Sequence, residues 1–503
     1  MKKNILFTIG FALIMALNLS GQNFPFPQHT EYHGHIKPNQ YTQAELDSHV
    51  TTFYNAWKEL YFKPGCEDNQ YHVFFDSGNT VTVSEAMGYG MIIAPLMAGW
   101  DADAKIIFNG LYRYYKAHPS HIMPNLMAWK QITGCIDSDG PDSATDGDID
   151  IAFGLLLAHA QWGSHGAINY FQEALLIIND IMGVNASEGD INQELNSIKL
   201  GDWVTSGSYM NGTRTSDFIM DHFRAFACAV DDSTWYDVVD ECYDLIGDMQ
   251  TNYSPNTGLL PDFIDDVNTT PRPANPDYLE GENDGNYYYN ACRDPWRITS
   301  DYLISGDNRA KEAVIKINRW LLQSAEGNAN NVYAGYKLDG TRLHGWTDLS
   351  FTAPFTVGAM ADVENQEWLN ALYSKILQSN IAYGGYYDNS LKLLSMITLS
   401  GNYWVPSCDI LNDVDEAEVI NNNFRVYPTS ATNIINVQIN NMLTNSAISI
   451  KIYNSIGQLV KQETISNNEN NTIIIGELSK GMYLVNVCNL DGNFIGTQKI
   501  FKQ

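Results

Sequence analysis

From about Thr42 to Pro406 the apolar residues recur at helical spacing, in segments separated by loops rich in Gly, Asn, Asp and Pro. The pattern predicts helices starting near residues 44, 84, 103, 147, 166, 217, 234, 294, 309, 351, 366 and 390, with almost no strand-like alternation among them. Ser84, Asp103 and Asp146 stand just ahead of apolar runs, where short polar side chains are expected to cap a helix. That number of helices suits antiparallel hairpins closed into a double ring. A helical solenoid is the competing arrangement, but the chain shows no internal repeat.

The pattern changes after Pro406. Residues 409–423 (DILNDVDEAEVINNN) are acidic and Asn-rich, as a linker would be. Beyond them NIINVQI, ISIKIYN, NTIIIG and GMYLVNV alternate with period two, which predicts a small antiparallel β-sandwich over 424–503. The stretches FRVYPTSA, IYNSIGQLV and LSKGMYLVNV resemble the C-terminal sorting domain of type IX secretion, which implies that secretion machinery as a partner. A carbohydrate-binding module is the rival reading, but a line of Trp or Tyr that would stack on sugar rings is missing.

At the other end, Lys2 and Lys3 precede an apolar run from Ile5 to Leu19 and the small residues Ser20 and Gly21. This order reads as a secretory signal peptide over 1–21, cleaved on export, since the run is short for a membrane span. The mature chain is therefore expected outside the cell or at its surface, with no membrane span. The seven cysteines show no CxxC pair, so no metal-binding pattern is present and disulfide pairing is not legible. A net charge of −29 argues against nucleic acid or an anionic membrane as partner.

Two acidic segments carry candidate chemistry. Glu85 in VTVSEAMGYGMIIAPLMAG lies in the first turn of a helix whose other residues are nearly all apolar or small. In SATDGDIDIAFGLLLA, Asp146 and Asp150 share one helical face while Asp148 points elsewhere. Three carboxylates so close repel one another, and a sugar, an Arg or a cation must compensate them.

The motifs SEAMGYGM, SATDGDIDIA, RTSDFIMDHFRAF, GLLPDF, YYYNACRDPWRITSDYL and YYDNSLKLL together resemble glycoside hydrolase family 8, from about residue 45 to 405. The resemblance implies an all-α (α/α)6 barrel over residues 22–408 that hydrolyses β-1,4-linked polysaccharide with inversion, without a cofactor. It also implies that Glu85 is the general acid and that Asp146 positions the sugar ring beside the scissile bond. Many family members place the general base, an Asp, three residues before the Arg of an RxPWR motif; here that position is Asn290, before Arg293. An amide is not basic enough for this work. The chain resembles a branch, including chitosanases and lichenases, that takes its base from an inserted loop.

In the loop PDYLEGENDGNYYYN the candidates are Glu280, Glu282 and Asp284. Glu280 is preferred because Tyr278 and Leu279 beside it would partly bury it, whereas Glu282 sits between Gly281 and Asn283. Arg293 and Arg297 are expected to hold carboxylates in place. Trp129, Trp203, Tyr289 and Trp296 are candidate sugar platforms, with Asp148, Asn290, Arg293 and Tyr387 as further substrate contacts. Chitosan is the favoured substrate, because Asp137, Asp139, Asp142, Asp217 and Asp221 would pair with its ammonium groups. An endo-β-glucanase of lichenase or cellulase type is the alternative. Readings of other classes are a glycan-binding surface protein that has lost catalysis, for which Asn290 is the sole support, and a polysaccharide lyase, which an acidic cleft suits poorly.

Overall fold

In the computed structural model, two kinds of helix alternate along the chain. The described residues are 22–75, 77–412, 424–428, 430–439, 448–454, 458–465, 470–489 and 494–502. The expected signal peptide and residues 413–423 of the expected linker lie outside them.

The odd-numbered helices are α1 (Gln43–Tyr61), α3 (Ala104–Ala117), α5 (Tyr170–Met182), α7 (Thr234–Asn252), α9 (Asn308–Ser324) and α11 (Gln366–Gln378). Each buries one apolar stripe and presents polar residues on its other side, the signature of an outer layer. The even-numbered helices are α2 (Ser84–Leu96), α4 (Thr145–Trp162), α6 (Met220–Val230), α8 (Asp294–Ser305), α10 (Leu349–Gly358) and α12 (Tyr386–Leu399). These are buried almost all round and form the inner ring, α12 packing back against α2 to close it. Outer helices pack beside their inner neighbours in sequence, and α1 lies on α12. The domain is an (α/α)6 barrel, as expected.

All six inner helices point the same way, because each is followed by an antiparallel outer return. Residues 23–36 run beneath the ring as a strap. The N–H groups of Asn23, Phe26, Thr30, His33 and Ile36 donate to the carbonyls of Gln161, Ala98, Gly401, Leu303 and Met360, at or just past the C-terminal ends of α4, α2, α12, α8 and α10. Carbonyls left over at helix ends thereby find partners, and that end of the barrel is closed. The N-termini converge at the opposite, open end, where carboxylates gain from the helix dipoles.

Helix starts fall within four residues of expectation, the largest differences being α5 and α12. The expected caps differ more. Ser84 and Asp103 make no side-chain cap bond, and Ser84 packs against Gly147. Asp146 lies inside the first turn, where its Oδ1 accepts from the Gly147 N–H at 2.8 Å and its Oδ2 is drawn to an arginine. Short strands such as Thr80–Val83 with Lys130–Ile132, and Thr213–Arg214 with Phe263–Asp265, line the open end. At two to four residues each they are too brief to show a period in the sequence.

Residues 409–412 of the expected linker belong to a short helix, α13 (Cys408–Asn412), which packs on α6 with Leu411 buried and Cys408 bridged to Cys228. A second bridge joins Cys66 to Cys135, while Cys242 and Cys292 are buried free thiols. Among the described residues, the C-terminal strands form one three-stranded and one five-stranded sheet. Val426, Ile435, Val437, Ile450, Ile473, Val485 and Ile500 fill a common core, the β-sandwich that the period-two pattern predicts.

The closest approach in the inner ring is between α2 and α4. A Cβ added at Gly147 would lie 2.5 Å from the Ser84 Cβ and 2.6 Å from its carbonyl carbon. Gly147→Ala is therefore expected to lose about 1–3 kcal/mol by overpacking, although Ala is the better helix former. Gly247 on α7 has open space around it. Gly247→Ala should gain about 0.5–1 kcal/mol. Thermal melts of the two variants check this: a Gly147→Ala protein as stable as the parent would refute the close-packing argument.

Candidate active site

Arg293, 1% exposed at the end of the turn Ala291–Arg293 before α8, organises the open end of the barrel. Its Nη1 donates to Glu85 Oε2 and to Asp146 Oδ2, both at 2.7 Å. Its Nη2 donates to Ser216 Oγ at 2.7 Å and to Asn290 Oδ1 at 3.0 Å. Glu85 is on the first turn of α2, Asp146 on that of α4, and Ser216 just before α6. One guanidinium thus joins residues far apart in sequence. One turn deeper, Arg297 Nη2 meets Asp150 Oδ2 at 2.5 Å, so the two acids that share a face of α4 each have an arginine.

The opposite oxygen of Glu85 accepts a hydrogen bond from the Tyr386 hydroxyl, at the start of α12. Burial pushes the Glu85 carboxyl up to about 7 and the nearby Asp146 charge adds to this, against the pull of Arg293 and the Tyr386 hydrogen bond. Burial also acts on Asp146, but Arg293 and Arg214 outweigh it and hold that carboxyl below the usual range. Two acids on one arginine are therefore set to opposite protonation states in the mildly acidic range below about pH 7.

Asn290 bridges the cluster to the loop carboxylate. Its Nδ2 donates to Glu280 Oε2 at 2.8 Å while its Oδ1 accepts from Arg293. Arg214 lies 3.4 Å from Glu280 Oε1 and 3.8 Å from Asp146 Oδ2, spanning the two acids. Asp284 fixes the loop itself, accepting from the backbone N–H groups of Leu279, Glu280 and Gly281 at 2.7, 3.0 and 3.0 Å. Asp262 does the same for the turn beneath, accepting from the N–H groups of Tyr288 and Ala291 at 2.8 Å each and of Asn290 at 3.2 Å. Glu280 does not owe its position to burial by Tyr278 and Leu279, as expected from sequence: its side chain is 50% exposed, and Asn290 and Arg214 orient it. Glu282 is exposed.

Two expected substrate contacts lie elsewhere. Asp148 is buried on the far side of α4, accepting from the Met127 N–H at 2.9 Å beside Asp190 and Asp202. Its place two residues after Asp146 turns it away from the cleft. Trp296 is 3% exposed and stacks under Arg297, 4.1 Å from the guanidinium, so it is core rather than a sugar platform. Asn290 and Arg293 are buried connectors. Tyr387 donates its hydroxyl to the Tyr289 carbonyl at 2.5 Å and supports the wall. Tyr289, Trp129 and Trp203 are half-buried; Trp129 donates its indole N–H to the Asp139 carbonyl at 3.1 Å.

Sequence reasoning missed Arg214, Ser216, Asp262 and Tyr386. Arg214 and Ser216 lie within the RTSD motif, which offered the signal, but nothing in the sequence says which acids they face. The acids expected to attract ammonium groups are mostly engaged. Asp221 is buried against Tyr403 and Asp217 against Ser216; Asp139 pairs with Lys130 and Asp137 with His118.

Comparison with known proteins follows the same division of the chain. Residues 48–401 match the Glycosyl hydrolases family 8, and residues 425–503 match a secretion system C-terminal sorting domain. A β-glucanase of Niallia circulans is 47% identical over 398 residues, covering 79% of this chain and 95% of that protein. An endoglucanase of Bacillus sp. (strain KSM-330) is 40% identical over 394 residues, covering 76% of this chain and 82% of that one. The structure of a β-1,3-1,4-glucanase from Paenibacillus sp. X4 superposes with a TM-score of 0.74 at 48% identity, over 77% of this chain and all of that one.

Because the fold raises the Glu85 pKa from 4.5 to about 7, the stability tied to its proton is fully present below about pH 4.5 and is lost as pH rises through about 7. Glu85→Gln, which stays neutral, should match the wild type in melting temperature at pH 4 and exceed it at pH 8. An equal difference at both values would show that Glu85 ionises in the fold as freely as in the unfolded chain.

Proposed function

The chain belongs to glycosyl hydrolase family 8, an inverting family of glycoside hydrolases, and we propose that it is an endo-acting β-1,3-1,4-glucanase with Glu85 as general acid and Glu280 as general base. The observation that carries the assignment of the base is the Glu280 carboxylate, hydrogen-bonded by Asn290 and facing Arg214, with Arg293 between it and Glu85. An inverting reaction needs its two carboxyl groups about 6.5–9.5 Å apart, with a water between base and sugar. Arg293 and Asn290 hold Glu85 and Glu280 separate and on one cluster.

In this reading Glu85 gives its proton to the glycosidic oxygen as the bond to the anomeric carbon breaks. Glu280 takes a proton from a water that attacks that carbon from the opposite face, so the configuration inverts. Asp146, kept ionised by Arg293 and Arg214, accepts a hydrogen bond from a hydroxyl of the ring beside the scissile bond and holds it in place. Asn290 takes no proton; it orients the base.

Chitosan gives way to β-glucan as the substrate. The relatives named above are β-glucanases and an endoglucanase, and four of the five acids expected to meet ammonium groups already have other partners. The sorting domain implies export to the cell surface or beyond by a secretion system. We assign residues 1–21 to a signal peptide that starts this export.

Mixed-linkage β-glucan, carboxymethyl cellulose, chitosan and xylan, incubated separately with the enzyme, test the reading through the release of reducing ends. Mixed-linkage glucan should be cleaved to products of α configuration by NMR, and Glu85→Gln and Glu280→Gln should each lower kcat about 10²–10⁴-fold. Glu282→Gln should stay within a few-fold of wild type. The kcat/KM of the wild type should fall as pH rises through about 7, where Glu85 loses its proton. A fully active Glu280→Gln would place the base elsewhere, and cleavage of chitosan alone would overturn the substrate.

A further inference from the structure

The wall of the cleft continues from Asn290 through Tyr289 to a loop that no part of the mechanism uses. Tyr289 donates its hydroxyl to Asp348 Oδ2 at 2.9 Å, at the N-terminus of α10, and is itself hydrogen-bonded by the side chain of Trp346. His344 stacks on Trp346 with ring centroids 4.0 Å apart and planes within 18°. Its Nε2 is held 3.1 Å from the Tyr288 hydroxyl. One edge and one face of the indole are therefore pinned, yet Trp346 is 53% exposed. With His344 on one face and Tyr289 at the indole N–H, the other face is the side from which a ligand can stack.

A rigid ring with one free face, beside a carboxylate and a tyrosine, has the chemistry that recognises a pyranose. The apolar face of the sugar packs on the ring, and hydroxyls at its rim reach the polar groups. The ledge is tied to the catalytic cluster through Tyr289, whose carbonyl accepts from the Tyr387 hydroxyl next to Tyr386. Asp348 also neighbours Asp388, close to the Tyr386 that holds Glu85.

We propose that Trp346 is the stacking face of a glucosyl subsite beyond the two that flank the scissile bond, and that it sets how long a chain the enzyme engages. This rests on the β-glucanase reading. Preorganisation by His344 and Tyr289 means that little side-chain freedom is lost when a sugar docks.

Calorimetric titration of the Glu85→Gln protein with gluco-oligosaccharides of graded length tests the subsite without turnover. Adding Trp346→Ala should weaken binding of the longer chains about tenfold and leave the shortest bound chain little changed. Trp346→Phe should restore most of the loss, and Trp346→Leu, which keeps apolar bulk without a ring, should not. Equal weakening at every length, or full recovery with Leu, would make Trp346 a packing residue and overturn the subsite alone. If the Glu85→Gln parent bound none of these oligosaccharides, the β-glucan reading would fall and the subsite with it.

Discussion

The buried guanidinium of Arg293 ties together the open end of this barrel. Arg293 donates charge-assisted hydrogen bonds to acids on α2 and α4 and to the neutral side-chain oxygens of Ser216 and Asn290. The inner helices place carboxylates at their N-termini, where the helix dipoles favour negative charge. Brought together without a counter-charge, those carboxylates would repel. Removing one partner of such a buried set leaves a charge stranded, which costs far more than the pair contributes. The convergence of α2, α4, α6 and α8 therefore involves the arginine as well as apolar packing.

The same interaction separates the chemical roles. Glu85 and Asp146 share one nitrogen of Arg293, and both feel Arg214. At Asp146 the pull of Arg214 is second only to that of Arg293, whereas at Glu85 it is weaker than those of Arg293 and the Tyr386 hydrogen bond. Burial wins at Glu85 and the arginines win at Asp146. A carboxyl that keeps its proton beside one that has lost it is the arrangement that acid catalysis of glycoside cleavage requires. Asn290 fits this electrostatic plan. An amide accepts from Arg293 with its oxygen and donates to Glu280 with its nitrogen. A carboxylate at the same place would satisfy the arginine but repel Glu280. The side chain that cannot act as a base thus helps a neighbour to do so.

Fold and site differ in how much of them is local. The spacing of apolar residues sets where helices start and which are amphipathic, so the twelve barrel helices and the strands after Pro406 are legible in the chain itself. Among the helices buried all round, α2, α4 and α10 stand out as apolar runs, whereas α8 (DPWRITSDYLIS) and α12 (YYDNSLKLLSMITL) carry polar residues that the closed ring buries. Glu85 was visible as an acid in an apolar helix, and the Asp146–Asp150 pair as acids on one face. Helical phase alone turns Asp148 off the face of Asp146, as the structure has it, whereas for Trp296 an aromatic residue beside a motif does not say whether the ring faces cleft or core.

What only the tertiary structure decided are the pairings across the ring. Which arginine meets which acid, the Tyr386 hydroxyl on Glu85 and the pinned ring of Trp346 join residues from different hairpins. The Asp262 clamp joins two ends of one long connection, and the Asp284 clamp alone of these is local to its loop. Helical periodicity carries information over a few turns, whereas a contact such as Arg293 with Glu85 spans 208 residues and exists once the ring has closed. Protonation follows the same rule, because burial and neighbouring charge, not residue type, set the two acids apart.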